Sequence, residues 1–204
     1  MLSVADLSCI RGDRTLFRGL GFTLEAGQCL HLQGGNGVGK TSLLRIVAGL
    51  SPAAQGEVRW HGELLGSPGC QLPAQLLYLG HLLALKDELS AVENLVSGSA
   101  IAGSSVGAAQ ALDALKQLGL AGRTALPVRV LSQGQKRRVA LARLLLQQNP
   151  LWVLDEPFVA LDAAAHALIE QVLQGHVARG GMVLLTSHQP VDLGAQVRSL
   201  RLDA

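Results

Sequence analysis

The run Gly34, Gly35, Asn36, Gly37, Val38, Gly39, Lys40, Thr41 constrains this chain more than any other segment. It fits G-x-x-x-x-G-K-[ST] and stands where that pattern has physical meaning. The apolar residues 29–32 precede it, and a helical pattern over residues 42–47, ending at Gly49, follows. Glycines let the backbone curl until several N–H groups face inward at phosphate oxygens, and the next helix adds the positive end of its dipole. In such a loop Lys40 reaches the β and γ phosphates and the Thr41 hydroxyl ligates Mg²⁺.

The rest of the chain supplies the sheet that such a loop needs. Residues 20–24 and 29–32 are early apolar runs of strand length. A late set follows: a helical pattern over 139–146, the run Leu151, Trp152, Val153, Leu154, a helix around 163–177, and the strand Met182, Val183, Leu184, Leu185. Strands that are apolar throughout and alternate with helices imply a parallel sheet covered on both faces. Between these halves, from about 82 to 131, strand signals vanish and helical ones take over, notably over 91–96 and 108–118. This reads as a helical subdomain, 82–135, inserted into an α/β core made of 1–81 and 136–204. Residues 56–60 with a turn at His61 and Gly62 predict a small antiparallel hairpin beside the main sheet.

Composition narrows the function classes. The 204 residues are 49% hydrophobic and 16% charged, which suits one globular domain and not a disordered segment. A spanning helix needs roughly 20 mostly apolar residues in a row, and none is present. The longest charge-free stretch, 94–112, is interrupted by Ser97, Gly98, Ser99, Gly103, Ser104, Ser105 and Gly107, and reads as a flexible connection running into a helix. The first residues lack the basic start and apolar run of an export signal, so the chain is expected to stay in the cytosol. Cys9, Cys29 and Cys70 have no metal-type spacing and read as reduced thiols. A net charge of +2 and 3% aromatics give neither a phosphate-backbone field nor a stacking platform, so nucleic acid is not the expected partner.

Several residues outside the loop carry chemistry. Residues 151–156 form a short apolar strand that ends in two carboxylates, which a buried strand has no structural use for. Asp155 is placed to hold Mg²⁺ and Glu156 to polarise an attacking water. Leu131, Ser132, Gln133, Gly134, Gln135 opens a helix, with Ser132 as N-cap and Gln135 completing a capping box. The same N–H groups can bind an anion, with Gly134 permitting close approach; the two readings are compatible. The cluster Lys136, Arg137, Arg138 reads as a solvated face. His188, just after the strand ending at Thr186, should sit at the sheet edge shared by the loop and Asp155, in reach of phosphate or water.

Together and in this order, these segments resemble the nucleotide-binding subunit of ATP-binding-cassette (ABC) transporters. The glycine loop resembles Walker A, 131–135 the LSGGQ signature with Gln133 in place of a glycine, and 151–156 Walker B. Residues 159–162 resemble the D-loop and 186–188 the H-loop. The resemblance implies a P-loop NTPase fold of the ABC ATPase type, with a parallel-sheet core, a small antiparallel β subdomain and an inserted helical subdomain. It implies ATP and Mg²⁺ as cofactors, with Lys40, Glu156 and His188 catalytic, Thr41 and Asp155 on the metal, and Gly34 to Thr41, Ser42, His81, Ser132, Gly134 and Gln135 on nucleotide. It also implies a head-to-tail dimer with a second copy, in which Ser132 serves the partner's ATP, and separate integral-membrane subunits touched by the helical subdomain.

Arg14, Thr15, Leu16, Phe17, then Tyr78, Leu79, Gly80, His81, then Phe158, and Thr186, Ser187, His188, Gln189, Pro190 narrow the resemblance. They are similar to ATP-binding subunits of bacterial heme exporters in cytochrome c biogenesis, which implies a peripheral place on the cytoplasmic face of the inner membrane. The rival readings are a cassette for another exported cargo and a soluble, non-transport ABC ATPase. The latter predicts tandem cassettes, a long coiled coil or a strongly basic surface. Two departures stand out. His81 occupies the position of the family's Q-loop glutamine, where an imidazole is a poor ligand for Mg²⁺. Near Arg11 there is no aromatic ring to stack on adenine, which predicts weaker base discrimination.

Overall fold

The computed structural model describes residues 1–193 and 197–202, so the end of the expected core segment 136–204 lies partly outside the described residues. The chain divides into two compact units. The first holds 1–80, 149–157 and 173–204, the second 81–148 and 158–172. The expected helical segment 82–135 lies within the second unit, which also takes in 81, 136–148 and 158–172.

The first unit is built on two sheets. β3 (Cys29–Gln33), β6 (Leu76–Leu79), β7 (Leu151–Asp155), β8 (Met182–Thr186) and β9 (Val197–Arg201) form a parallel sheet in the order β6-β7-β8-β3-β9. Every residue of β7 and β8 is buried, which explains why their sequences are apolar without alternation. β1 (Leu2–Arg11), β2 (Arg14–Leu24), β4 (Gln55–Trp60) and β5 (Glu63–Leu64) make an antiparallel sheet in the order β2-β1-β4-β5. The hairpin expected around His61 and Gly62 is β4-β5.

Helix α1 (Lys40–Val47) starts on the glycine loop and buries Leu43, Leu44, Ile46 and Val47. Each such side chain contributes roughly 1.5–3 kcal/mol of apolar burial, which anchors the loop end of the helix to the core. These residues join one apolar cluster with Leu30 and Leu32 of β3, Leu151 and Val153 of β7, and Leu184 of β8. α1 ends as its spacing predicts: the Gly49 N–H donates to the Ile46 carbonyl at 3.0 Å from a left-handed conformation, φ 71°. A short helix α2 (Leu72–Gln75) precedes β6 and is tied to β4 by a 2.7 Å hydrogen bond from the Trp60 indole N–H to Gln75 Oε1.

The second unit is helical. It contains α3 (Ala91–Ile101), α4 (Ala108–Gln117), a 3-10 turn (Val128–Val130), α5 (Gln133–Leu141) and α6 (Arg143–Leu146), and the first residues of α7 (Ala163–Ala178), whose end lies in the first unit. Two expectations are corrected here. The stretch 94–101 is the body of α3, and the connection shrinks to 102–107. The helix forms because its small polar residues are satisfied locally. Ser90 and Glu93 make a reciprocal capping box at 3.2 and 2.8 Å, the Ser97 hydroxyl donates to the Glu93 carbonyl at 2.6 Å, and buried Asn94 donates to the carbonyls of Lys86, Leu89 and Ser90. The cluster 136–138 is not a solvated face. Arg137 is buried, Lys136 pairs with Asp87 at 3.1 Å, and Arg138 pairs with Asp162 at 2.7 Å. Charges on the turn following the α5 cap face Asp87 and the start of α7, so they are used within the unit.

Candidate functional site

The C-terminal edge of the parallel sheet in the first unit gathers the glycine loop, Asp155, Glu156 and His188. β3 delivers the chain into Gly34, whose φ is 143° and whose added Cβ would lie 2.6 Å from the Leu202 carbonyl oxygen and 3.0 Å from Val38 Cγ2. Gly39, the N-cap of α1, sits at φ 108°, and a Cβ there would lie 3.0 Å from Leu16 Cβ and Phe17 Cδ1. Both positions therefore require glycine by conformation and by space. Val38 is buried and pins the loop to the core, while Gly35, Asn36 and Gly37 face outward. The Lys40 ammonium donates to the Gly34 carbonyl at 2.7 Å and to the Gly35 carbonyl at 3.0 Å, so it lies folded across the mouth of its own loop. Ser42 is half-buried on the first turn of α1.

Pairing of β7 with β8 sets the acidic end of the site. Asp155 stands opposite Thr186 in the register. The Thr186 hydroxyl donates to Asp155 Oδ1 at 2.8 Å, and the Thr41 hydroxyl donates to Asp155 Oδ2 at 2.8 Å, so both carboxylate oxygens are engaged. Asp155 is 5% exposed, and these hydrogen bonds support its charge at that depth. Its negative charge reaches Tyr78 on β6, whose phenol is held above its usual pKa first by burial and then by Asp155.

Glu156 follows in a left-handed conformation, φ 52°, which costs a non-glycine residue on the order of 1–3 kcal/mol and persists only where neighbours impose it. The neighbours are on β8 and just beyond it. The Glu156 N–H donates to the Thr186 hydroxyl at 2.9 Å, and the His188 N–H donates to Glu156 Oε2 at 3.2 Å. His188 Nε2 lies 3.5 Å from Glu156 Oε1. The Glu156 side chain is 22% exposed and that of His188 is 60% exposed, so the pair forms a carboxylate backed by protein and an imidazole open to solvent. The turn carrying His188 is held from β3: His31, buried, places Nε2 3.0 Å from the Ser187 carbonyl oxygen.

The structure thus brings together Lys40, Thr41, Asp155, Glu156 and His188 in one unit. It places Ser132, Gly134, Gln135 and His81 in the other. Ser132 caps α5 as its pattern requires: its hydroxyl accepts from the Gln135 N–H at 3.3 Å, and Gln135 Oε1 accepts from the Ser132 N–H at 3.0 Å. Ser132 remains exposed, and a Cβ on Gly134 would lie 3.1 Å from the Ala160 carbonyl oxygen. His81 is exposed at the start of the second unit. Among the described residues no cluster of three or more His, Cys, Asp and Glu side chains can hold a metal ion by itself. In the sequence Tyr78 and Thr186 stand out only as part of the family resemblance, with no role of their own, and His31 does not stand out at all, because their roles arise from strand pairing.

Comparison with known proteins agrees with this geometry. The ABC transporter family profile matches residues 17–159, more than half of the chain. The cytochrome c biogenesis ATP-binding export protein CcmA of Dechloromonas aromatica is 53% identical over 99% of this chain and 100% of its own length. CcmA of Methylococcus capsulatus is 50% identical over 98% and 97%. Among solved structures, an ATP-binding subunit of an ABC transporter is 25% identical with a TM-score of 0.84, covering 100% of this chain and 88% of its own. An ATP-binding cassette solved as a dimer in a post-hydrolysis state with ADP and Pi has a TM-score of 0.85 at 22% identity, covering 100% and 97%. With its loop, acidic strand end and fold all of one type, the chain belongs to the ABC transporter family and, within it, to the cytochrome c biogenesis ATP-binding export proteins of the CcmA type.

Proposed function

We propose that this chain is the ATP-hydrolysing subunit of a membrane exporter whose cargo is heme destined for c-type cytochromes. The observation that supports hydrolysis most strongly is the hydrogen-bonded series Thr41, Asp155, Thr186, Glu156, His188 at the mouth of the phosphate loop. The cargo rests on similarity to CcmA proteins along nearly the whole chain.

ATP is the substrate of the loop. Its phosphates take the inward N–H groups of residues 34–41 and the Lys40 ammonium, which exchanges the Gly34 and Gly35 carbonyls for phosphate oxygens. Glu156 orients a water toward the γ phosphorus, and His188 steadies that water and the departing phosphoryl oxygens. The water oxygen bonds to phosphorus as the bond to the ADP oxygen breaks, and Lys40 with the loop amides stabilises the charge that builds on the phosphoryl group.

The residues present fit Mg²⁺. Thr41 Oγ1 and Asp155 Oδ2, 2.8 Å apart, are hard oxygen donors, and a site with one carboxylate and one hydroxyl suits an ion that keeps waters and shares substrate phosphate. Bound there, Mg²⁺ supplies charge neutralisation on the phosphates.

A second copy completes each nucleotide site. Ser132 and the N–H groups opening α5, with Gly134 allowing close approach and Gln135 holding the cap, serve the γ phosphate bound by the partner. His81 acts as a contact toward the nucleotide or the membrane subunits and not as a metal ligand. The helical unit docks on separate integral-membrane subunits, so the protein works peripherally at the cytoplasmic face of the inner membrane; no helix among the described residues is long and apolar enough to cross a membrane. Glu156→Gln keeps the shape and removes the charge. In membranes holding the assembled complex it should retain ATP binding and lose turnover, and turnover at the wild-type rate would sink the assignment of Glu156.

A further inference from the structure

We propose that Thr186 is a positioning residue for hydrolysis, a single hydroxyl that sets Asp155 and Glu156 in register with each other; this rests on the reading of the site given above. Three observations converge on it. Thr186 is fully buried at the last position of β8, opposite Asp155. Its hydroxyl has one proton, and that proton goes to Asp155 Oδ1 at 2.8 Å. Its oxygen then accepts the Glu156 N–H at 2.9 Å, at a non-glycine residue held in a left-handed backbone conformation.

The direction of these bonds matters. Occupying Oδ1 fixes the rotation of the Asp155 carboxylate, which leaves Oδ2 facing Thr41. Accepting the Glu156 N–H holds the following peptide in the turn that sends the Glu156 carboxylate back toward the end of β8, where the His188 N–H meets it at 3.2 Å. One hydroxyl therefore couples the carboxylate assigned to the metal with the carboxylate assigned to water. A valine has the same shape and neither bond. It would remove the bond at Asp155 Oδ1, leaving the Thr41 bond at Oδ2, and take the hydroxyl from the Glu156 N–H, without opening a cavity. Outer partners of this kind typically change activity by roughly 10–100-fold when removed.

The test compares Thr186→Val and Thr186→Ser with wild type in the assembled membrane complex. It measures kcat and KM for ATP, affinity for a fluorescent ATP analogue with Mg²⁺ chelated, and thermal unfolding. The expected result is that Thr186→Val lowers kcat by about 10–100-fold while KM, analogue affinity and unfolding midpoint stay near wild type, and Thr186→Ser recovers most of kcat. A wild-type kcat in Thr186→Val overturns the proposal. So does equal impairment of the serine and valine variants, which would assign the effect to the methyl group. A valine variant that unfolds or loses analogue binding would make Thr186 a residue of the fold alone and would also overturn it. If Glu156→Gln is active alongside, the reading of the site fails; if Glu156→Gln is inactive and Thr186→Val is active, only the role of Thr186 fails.

Discussion

His176 offers a stability prediction that can be worked through from the structure. It lies on α7, is 6% exposed, and stacks on Trp152 of β7 with ring centroids 3.7 Å apart and planes within 3°. Burial lowers its pKa from 6.5 to about 4; Met182 and Pro150 backbone groups raise it and Arg179 lowers it further, by smaller amounts. The unfolded chain therefore binds a proton near pH 6.5 that the folded chain refuses until pH 4. The stabilisation is whole above pH 6.5, declines as pH falls, and is exhausted below pH 4. Between about pH 7.5 and about pH 5 the linkage relation gives a loss of about 2 kcal/mol from this one ring. Carboxylates titrate in the same range, so the comparison is with His176→Phe, which keeps a flat ring on Trp152 and cannot take up a proton. Urea unfolding, followed by tryptophan fluorescence at both pH values, should show wild type losing about 2 kcal/mol more than the variant. Identical pH dependence in the two proteins would refute the argument.

Two further outcomes follow from named groups. Ser132→Asp keeps an acceptor for the Gln135 N–H and so should preserve the unfolding midpoint, whereas Ser132→Ala should cost about 1 kcal/mol. The aspartate also sets a negative charge where a partner's phosphate is proposed to bind, so hydrolysis by the assembled complex should fall sharply in a steady-state phosphate-release assay. Unchanged hydrolysis would remove Ser132 from the nucleotide site. Burial pushes the Cys29 thiol up to about 12, while Cys70 is only half-buried. A maleimide at about pH 8 should label Cys70 in the folded protein and Cys29 only after denaturant is added, read by peptide mass spectrometry.

The core of the site was legible because its chemistry is local. The glycine loop, its helix and the acidic end of β7 are contiguous residues whose spacing states their geometry. The cap of α5 was equally readable, since Ser132 and Gln135 are three residues apart. What escaped depends on pairing. β1 was not visible because its register shifts between Val4 and Leu7, Leu7 and Cys9, and Cys9 and Ile10, which breaks the alternation a strand should show. β9 is an edge strand reading Val-Arg-Ser-Leu-Arg, short and charged, and among the described strands it pairs with β3 alone. Part of α3 reads as a connection because Ser97, Gly98 and Ser99 are weak helix formers, and the Ser90–Glu93 cap with the Asn94 and Ser97 hydrogen bonds reveals how that stretch is held. The charged run 136–138 reads as solvated in the sequence because Asp87 and Asp162 are distant along the chain. Thr186 reads as an ordinary end of a strand until Asp155 is placed opposite it.

The central claim is that the carboxylate of Glu156 drives a hydrolysis that serves heme delivery. Its most direct test is ATP hydrolysis by membranes containing this chain with the proposed integral-membrane subunits, wild type against Glu156→Gln, with covalent heme attachment to c-type cytochromes scored in the same cells. The account predicts that the variant binds ATP yet loses hydrolysis and heme attachment together. Cytochromes that mature normally while hydrolysis is abolished would contradict it.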